Sequence, residues 1–236
     1  NNLSPAGIAM DVNKGPLEKA QEHIREEKIG GKIATRLGNG LAPLEPGETD
    51  TVIIAGMGGD LICKILKAKP EFLIEGKEFI LQPQSEWFKI RRLLKEYRYQ
   101  IEKEWFLKED GKYYVIIKAE PAWTQPQRLK HQQPSIHEYI KEISDTQVNQ
   151  AVSEKDMESI YEQYGKYLIE TKNPVLKEYL EKEITKKESI AAELKQSIKE
   201  IESEELSGKE RGNIAKRQRR YQEIQKEIRD MRKAIG

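Results

Sequence analysis

The run Thr51-Val52-Ile53-Ile54-Ala55-Gly56-Met57-Gly58-Gly59-Asp60 decides the architecture of this chain. Five β-branched or apolar residues make a buried-strand signal, and the glycines after them turn the chain into a helix that Asp60 is expected to cap. A strand passing through a tight glycine turn into a helix belongs to a strand–helix–strand unit, and such units build parallel sheets. Glycines at that turn let backbone approach a ligand at the carboxyl edge of the sheet. A plain strand-to-helix turn accounts for them equally well. The pattern is neither a dinucleotide fingerprint, because Leu61 takes the place of its last glycine, nor a P-loop, because no Gly-Lys-Ser/Thr follows.

Reading outward toward residue 1, Ile8-Ala9-Met10 is a strand that ends in Asp11, and Leu17, Ala20 and Ile24 share one face of a helix. Lys32 to Thr35 is a short strand followed by Gly38-Asn39-Gly40. Toward the other end, Phe79-Ile80-Leu81 is a strand closed by Gln82-Pro83, and a helix carrying Phe88, Leu93, Leu94 and Tyr97 comes next. Tyr99–Leu107 and Tyr113–Lys118 flank Asp110-Gly111, the pairing of strands and turn that predicts an antiparallel hairpin. The expected arrangement is one parallel sheet, with strands near 8–11, 32–35, 51–55 and 78–82, and the hairpin at its edge.

Residues 121–134 hold Pro121, Pro126 and Pro134 without helical period and read as a linker. Everything beyond is helical. Ser135 with Glu138, and Ser153 with Asp156, have capping-box spacing, and Asn173-Pro174 separates helices. From Pro174 two long segments follow, divided at Ser207-Gly208. Leu180, Leu194 and Ile201 keep a seven-residue spacing in the first, as do Ile214, Tyr221, Ile228 and Ile235 in the second. Such a pair predicts an antiparallel coiled-coil hairpin, with Lys187 and Arg217 as charged exceptions on the seam. The domains expected are therefore 1–120, α/β, a linker at 121–134, and a helical domain at 135–236.

The 236 residues carry 41 Lys+Arg and 40 Asp+Glu, a net charge of +1 that names no partner. Charged residues make up 34% and hydrophobic ones 37%, a balance that suits a compact part joined to long solvated helices. No run of 18 apolar residues suggests a membrane span. One cysteine excludes a disulfide framework, and Cys63, among Ile62, Ile65 and Leu66, reads as a structural thiol. His131 and His137 lie in a polar stretch, and no metal is expected. A cytoplasmic compartment is expected.

Asp11 closes a strand before a helix, where a carboxylate commonly accepts hydrogen bonds from ribose hydroxyls; a favourable charge at a helix N-terminus explains it as well. Asn39 sits where its amide could read an adenine edge, or in a simple turn.

Four strings in order then carry a resemblance: Ala9-Met10-Asp11-Val12-Asn13-Lys14-Gly15-Pro16-Leu17, Arg36-Leu37-Gly38-Asn39-Gly40-Leu41, Ile54-Ala55-Gly56-Met57-Gly58-Gly59 and Leu81-Gln82-Pro83. With them the chain resembles the bacterial tRNA adenine(22)-N1-methyltransferases, which use S-adenosylmethionine. The resemblance implies a Rossmann-like class I methyltransferase sheet with a terminal antiparallel hairpin. It implies that Asp11 and Val12 hold the cofactor ribose, that Asn39 and Gly40 lie against its adenine, and that Ala55, Gly56 and Met57 complete its site. Ala55 to Gly59 would stand where related adenine methyltransferases place an Asn/Asp-Pro-Pro-Tyr/Phe motif. Gly58, Gly59, Gln82 and Pro83 would then face the substrate base. The family opens with a strand and a turn of the type Asp-x-Gly-x-Asp-His-Gly-Tyr, and residue 1 falls just before the second strand. The chain is expected to lack that segment and to bind the cofactor weakly as it stands.

The implied partner is tRNA. Residues 209–233 carry ten basic and four acidic side chains, and residues 170–205 carry seven basic and ten acidic. Opposite arms pairing through salt bridges explain the contrast; outward-facing Lys216, Arg217, Arg219 and Arg220 meeting RNA phosphates explain it too. An inactive tRNA-binding or coiled-coil protein is the alternative function, and a nicotinamide dehydrogenase is disfavoured by the missing glycine.

Overall fold

The computed structural model describes residues 4–123, 152–202 and 208–236. Most of the 121–134 stretch, Ser135, Glu138, both of His131 and His137, and Ser207 lie outside the described residues.

The first part of the chain runs β1 (Gly7–Asp11), α1 (Lys14–Glu26), β2 (Ile33–Leu37), β3 (Thr51–Met57), α2 (Gly59–Lys67), α3 (Pro70–Ile74), β4 (Glu78–Pro83), α4 (Trp87–Glu96), β5 (Tyr99–Glu109) and β6 (Lys112–Pro121). Every strand read from the sequence is present. Their assembly differs from expectation, because the parallel strands form two sheets. β1 pairs in parallel with β2, from Gly7 opposite Ile33 to Asp11 opposite Leu37. β3 pairs in parallel with β4 in a four-stranded sheet ordered β3-β4-β6-β5. Apolar period identifies a strand and its buried face, but it carries no information about the lateral partner.

Alternation along β3 and β4 sets the core. Val52 and Ile54 are buried and lie opposite Phe79 and Leu81, both fully enclosed, while Thr51, Ile53 and Ala55 are exposed. Ile62 and Leu66 of α2, Phe72 and Leu73 of α3, and Ile90, Leu93 and Leu94 of α4 are also buried. Each such side chain removed from water contributes about 1.5–3 kcal/mol before conformational entropy is counted. The Tyr99 ring adds contacts with Phe79 at 5.0 Å and Trp123 at 5.8 Å.

β5 and β6 are neighbours joined through Asp110 and Gly111, whose φ angles of 48° and 75° suit the tightest strand connection. Lys103–Ile117 forms a compact unit with the later helices, and the described chain up to Glu102 together with residues 118–123 forms the other. Composition alone put this change at about residue 120.

The helices are α5 (Val152–Tyr164), α6 (Lys166–Glu170), α7 (Pro174–Glu202) and α8 (Gly208–Ile235). Gly165, at φ 92°, interrupts what the apolar spacing read as one helix up to Asn173. The Asn173 side chain then caps α7, accepting from the backbone N–H groups of Val175 and Leu176 at 3.0 Å each. α7 and α8 run antiparallel: Arg217 donates to Ser197 and Lys187 pairs with Glu227, so ten steps up one helix are ten steps down the other. Both charged exceptions on the seam are thereby satisfied from across it. Leu180, Ile184, Ala191, Ile214, Ile224, Ile228 and Met231 are buried. In this unit Phe106 stacks near Tyr113 and Tyr179, and Glu178 accepts from Lys108, Lys182 and the Tyr113 hydroxyl. Those three donors hold the Glu178 carboxyl down to about 2.

Candidate functional site

The candidate residues of the first unit collect at the carboxyl ends of parallel strands. Asp11 ends β1, and its backbone carbonyl accepts from Gly38 N–H at 3.0 Å, which brings the β1 end and the Gly38-Asn39-Gly40 loop together. One carboxylate oxygen of Asp11 accepts from Asn13 N–H at 2.7 Å. The other has no partner among the described residues and can accept from a ligand hydroxyl. Val12 is 61% exposed beside it. Asn39 is exposed, and Gly40 has φ 54° with Ile65 so near that a β-carbon would stand 2.8 Å from it. Glycine is required there both by conformation and by the approach of α2.

A clamp that the sequence reading missed fixes this loop. Arg36 donates to Pro43 O at 2.8 Å and to both Glu48 carboxylate oxygens at 2.6 and 2.7 Å, and Glu48 also accepts from Glu45 N–H. The paired guanidinium lowers the Glu48 carboxyl to about 2. Twelve residues separate the pair, a distance at which sequence offers no signal.

The β3 end is irregular in a useful way. Ala55 lies opposite Gln82 and Met57 opposite Pro83, so Gly56, at φ 79°, is an extra residue in the ladder. Its N–H donates instead to the Gln82 side-chain oxygen, Oε1, at 2.8 Å, while Gln82 Nε2 is buried and has no partner among the described residues. Gln84 N–H donates to Met57 O at 2.8 Å, and Gly59 N–H to Ser85 O at 3.0 Å. These bonds hold Ala55, Gly56, Met57, Gly58 and Gly59 beside Gln82 and Pro83, as one group.

Asp60 is not a helix cap. The N-cap position is Gly58, without a side-chain bond, and Asp60 lies in the first turn of α2. Its carboxylate pairs with Lys64 at 2.8 Å and Lys89 at 2.9 Å, which together hold it down to about 2. A glycine at the N-cap frees Asp60 for these lysines, and Glu86 accepts from the Asp60 N–H at 3.2 Å. Asp60 is therefore a poor proton acceptor at neutral pH. Burial pushes the half-buried Cys63 thiol up, which disfavours the reactive thiolate.

The four basic residues on α8 divide. Lys216 and Arg219 are exposed and make no ion pair among the described residues. Arg217 turns to Ser197 on α7 and is half-buried, and Arg220 pairs with Glu223 at 3.2 Å and Glu227 at 3.4 Å. Of the four candidates for phosphate contact, Lys216, Arg219 and Arg220 are exposed, and Arg217 is the one turned toward α7. No helix among the described residues is long and apolar enough to cross a membrane.

Comparisons with known proteins agree with one another. Residues 1–163 match the family described as tRNA (adenine(22)-N(1))-methyltransferase. The protein of that name from Bacillus subtilis (strain 168) is 32% identical over 181 residues, covering 63% of this chain and 75% of its own. The crystal structure of the B. subtilis M1A22 tRNA methyltransferase TrmK has TM-score 0.65 at 24% identity, covering 98% of this chain and 82% of that one. The structure of M. capricolum TrmK with S-adenosyl-homocysteine has TM-score 0.62 at 22% identity, covering 98% and 80%. At these identities the structures establish the fold, a Rossmann-like methyltransferase fold.

Proposed function

The chain belongs to the tRNA (adenine(22)-N(1))-methyltransferase family, and from that premise we propose that it transfers a methyl group from S-adenosylmethionine to N1 of adenine 22 in tRNA. The observation that carries this to particular residues is the Asp11–Gly38 backbone bond, which sets a carboxylate with a spare oxygen beside an exposed asparagine amide. That donor and acceptor set fits S-adenosylmethionine. Asp11 and Val12 would take the ribose diol, whose two hydroxyl donors match a carboxylate better than a neutral acceptor. Asn39 and Gly40 would meet the adenine of the cofactor, and Ala55, Gly56 and Met57 would complete the cofactor site.

When bound, S-adenosylmethionine would supply a sulfonium methyl, an electrophile open to attack by a ring-nitrogen lone pair without prior deprotonation, the carbon–sulfur electron pair leaving with the sulfur as a neutral thioether. The protein's own task is then presentation: hold the unpaired adenine, align N1 and exclude water. Gly58, Gly59, Gln82 and Pro83 are the residues we assign to the base. A low Asp60 pKa is consistent with a reaction that needs no general base before the new bond forms.

The tRNA body would be held by the helical part. We read α7 and α8 as an antiparallel coiled-coil hairpin, supported by the buried heptad positions and the Lys187–Glu227 pair. We also read β5 and β6 as the antiparallel terminal hairpin of the methyltransferase sheet. Lys216 and Arg219 are the phosphate-binding residues proposed, with Arg217 and Arg220 supporting the helix pair. A tRNA substrate puts the site of action in the cytoplasm.

The test is incubation of the protein with S-adenosylmethionine and a tRNA transcript carrying adenine or guanine at position 22, read by mass spectrometry of the digested RNA. One N1-methyladenine, lost in the guanine transcript, is expected. Methyl at another nucleotide overturns the reading, as does none when S-adenosylmethionine is raised far enough to fill a weak site.

A further inference from the structure

We propose that Gln82 Oε1 is the group that selects adenine, by accepting a hydrogen bond from its 6-amino group; this rests on the methyl-transfer reading above. The Gly56 N–H cannot join the β3–β4 ladder, because Gly56 is the extra residue between Ala55 opposite Gln82 and Met57 opposite Pro83. It finds Oε1 of Gln82 at 2.8 Å instead. That bond fixes which way the carboxamide faces: rotating it by half a turn would set N–H₂ against N–H. The consequence is visible at the other end of the group, where Nε2 is buried without a partner among the described residues, an arrangement disfavoured unless something holds it. Oε1 is thus a fixed acceptor with a second lone pair, on a half-buried side chain next to exposed Ala55 and Gly56.

A fixed acceptor discriminates by chemistry. Adenine offers two N–H donors at position 6, and bonding one of them leaves the N1 lone pair free to react. Guanine offers a carbonyl oxygen there, and two acceptors repel. A site built around a buried or half-buried hydrogen-bonding group rejects a ligand lacking the partner far better than an apolar pocket does. Gln82 would therefore act on both sides at once, bracing the bulge through Gly56 and reading the base through the same oxygen.

The experiment compares tRNA bearing adenosine or purine riboside, which lacks the 6-amino group, at position 22. Dissociation constants are read by fluorescence anisotropy for the wild type, Gln82→Glu and Gln82→Met. The wild type should prefer adenosine by roughly ten-fold or more, the value of one hydrogen bond to a fixed partner. Gln82→Glu, which keeps an acceptor for both bonds, should retain the preference, and Gln82→Met should bring the two tRNAs to within about two-fold. A merely structural role would weaken both tRNAs equally in Gln82→Met and keep their ratio. That result, or a wild type indifferent to the amino group, overturns the assignment. Should Gln82→Met fail to fold, the assignment is still overturned by a wild type indifferent to the amino group or by a Gln82→Glu variant that loses the preference. Parallel methylation assays separate the two claims: discrimination without methyl transfer to adenine 22 would sink the methyl-transfer reading and leave the Gln82 assignment standing.

Discussion

A β-carbon placed on Gly59 would stand 2.6 Å from the carbonyl oxygen of Glu86, closer than any real β-carbon approaches such an atom. The approach explains why the start of α2 and the start of α4 meet with no side chain between them. Gly59→Ala must push one backbone against the other and should cost about 1–3 kcal/mol. Gly15→Ala in α1, where nothing lies within 4 Å, should instead be neutral or raise stability by about 0.5–1 kcal/mol. Urea melts of the two variants check both statements, and equal midpoints would show that the crowding at Gly59 relaxes freely.

Asp11→Asn and Asp11→Ala should each weaken S-adenosylmethionine binding by about ten-fold or more, a charged acceptor contributing roughly 1.5–3 kcal/mol. Asp11 is half-buried at a strand end, so neither change should move the melting temperature much. Calorimetric titration gives the affinity directly. Unchanged affinity in the alanine variant would remove Asp11 from the cofactor site.

Acid should loosen the fold over a defined window. Asp60, Glu48 and Glu178 are each held down to about 2, against ordinary values of 3.8, 4.5 and 4.5. A carboxyl with a lowered folded-state pKa stabilises above its unfolded pKa, and that contribution disappears as pH falls through the folded value. Stability should therefore be level above about pH 5 and decline from about pH 4.5 toward 2. Glu48 is exposed and Asp60 and Glu178 are half-buried, all within reach of solvent ions, so added salt should shrink the effect. Melting temperatures at pH 7, 4 and 2.5 test this, with Asp60→Asn expected to flatten the curve. A decline beginning above pH 6 would point to other groups.

Lys216→Gln and Arg219→Gln together should reduce the salt dependence of tRNA binding, by roughly 0.7–0.9 in log–log slope for each phosphate no longer neutralised. Arg220→Gln should change the slope less, because Glu223 and Glu227 already share its charge. Filter binding over a salt series measures it. Equal slopes for all variants would confine these residues to the helix surface.

What the sequence disclosed depended on the range of the interaction. Local patterns were legible: the apolar run Thr51–Ala55, the Asp110-Gly111 turn and the Asn173-Pro174 helix start all depend on neighbours in the chain. The two long helices after Asn173 were legible because helical period survives over many turns. Lateral order was not, and β1 and β2 proved to form a sheet separate from β3. The Gly165 interruption escaped because apolar spacing continues across it, although its φ of 92° breaks the helix. At the candidate site Asp11, Asn39 and the glycines were named from their places after strands. Arg36–Glu48 and the Gly56–Gln82 bond were not, because each joins residues whose proximity exists only once the chain has folded.

The bulge at Gly56 has a consequence in counting. In a regular strand each residue added or removed reverses the side on which everything after it falls. Val52 and Ile54 face their buried partners two residues apart, and Met57, an odd step further on, still comes to lie opposite the buried Pro83. The extra residue is absorbed and the phase recovers. Gly56 is thus the one place in β3 where the chain can lose a residue and keep α2 emerging on the same side. A deletion of Gly56 should preserve the topology while taking away the N–H that holds Gln82, whereas a deletion at Ile53 would send all that follows to the opposite side.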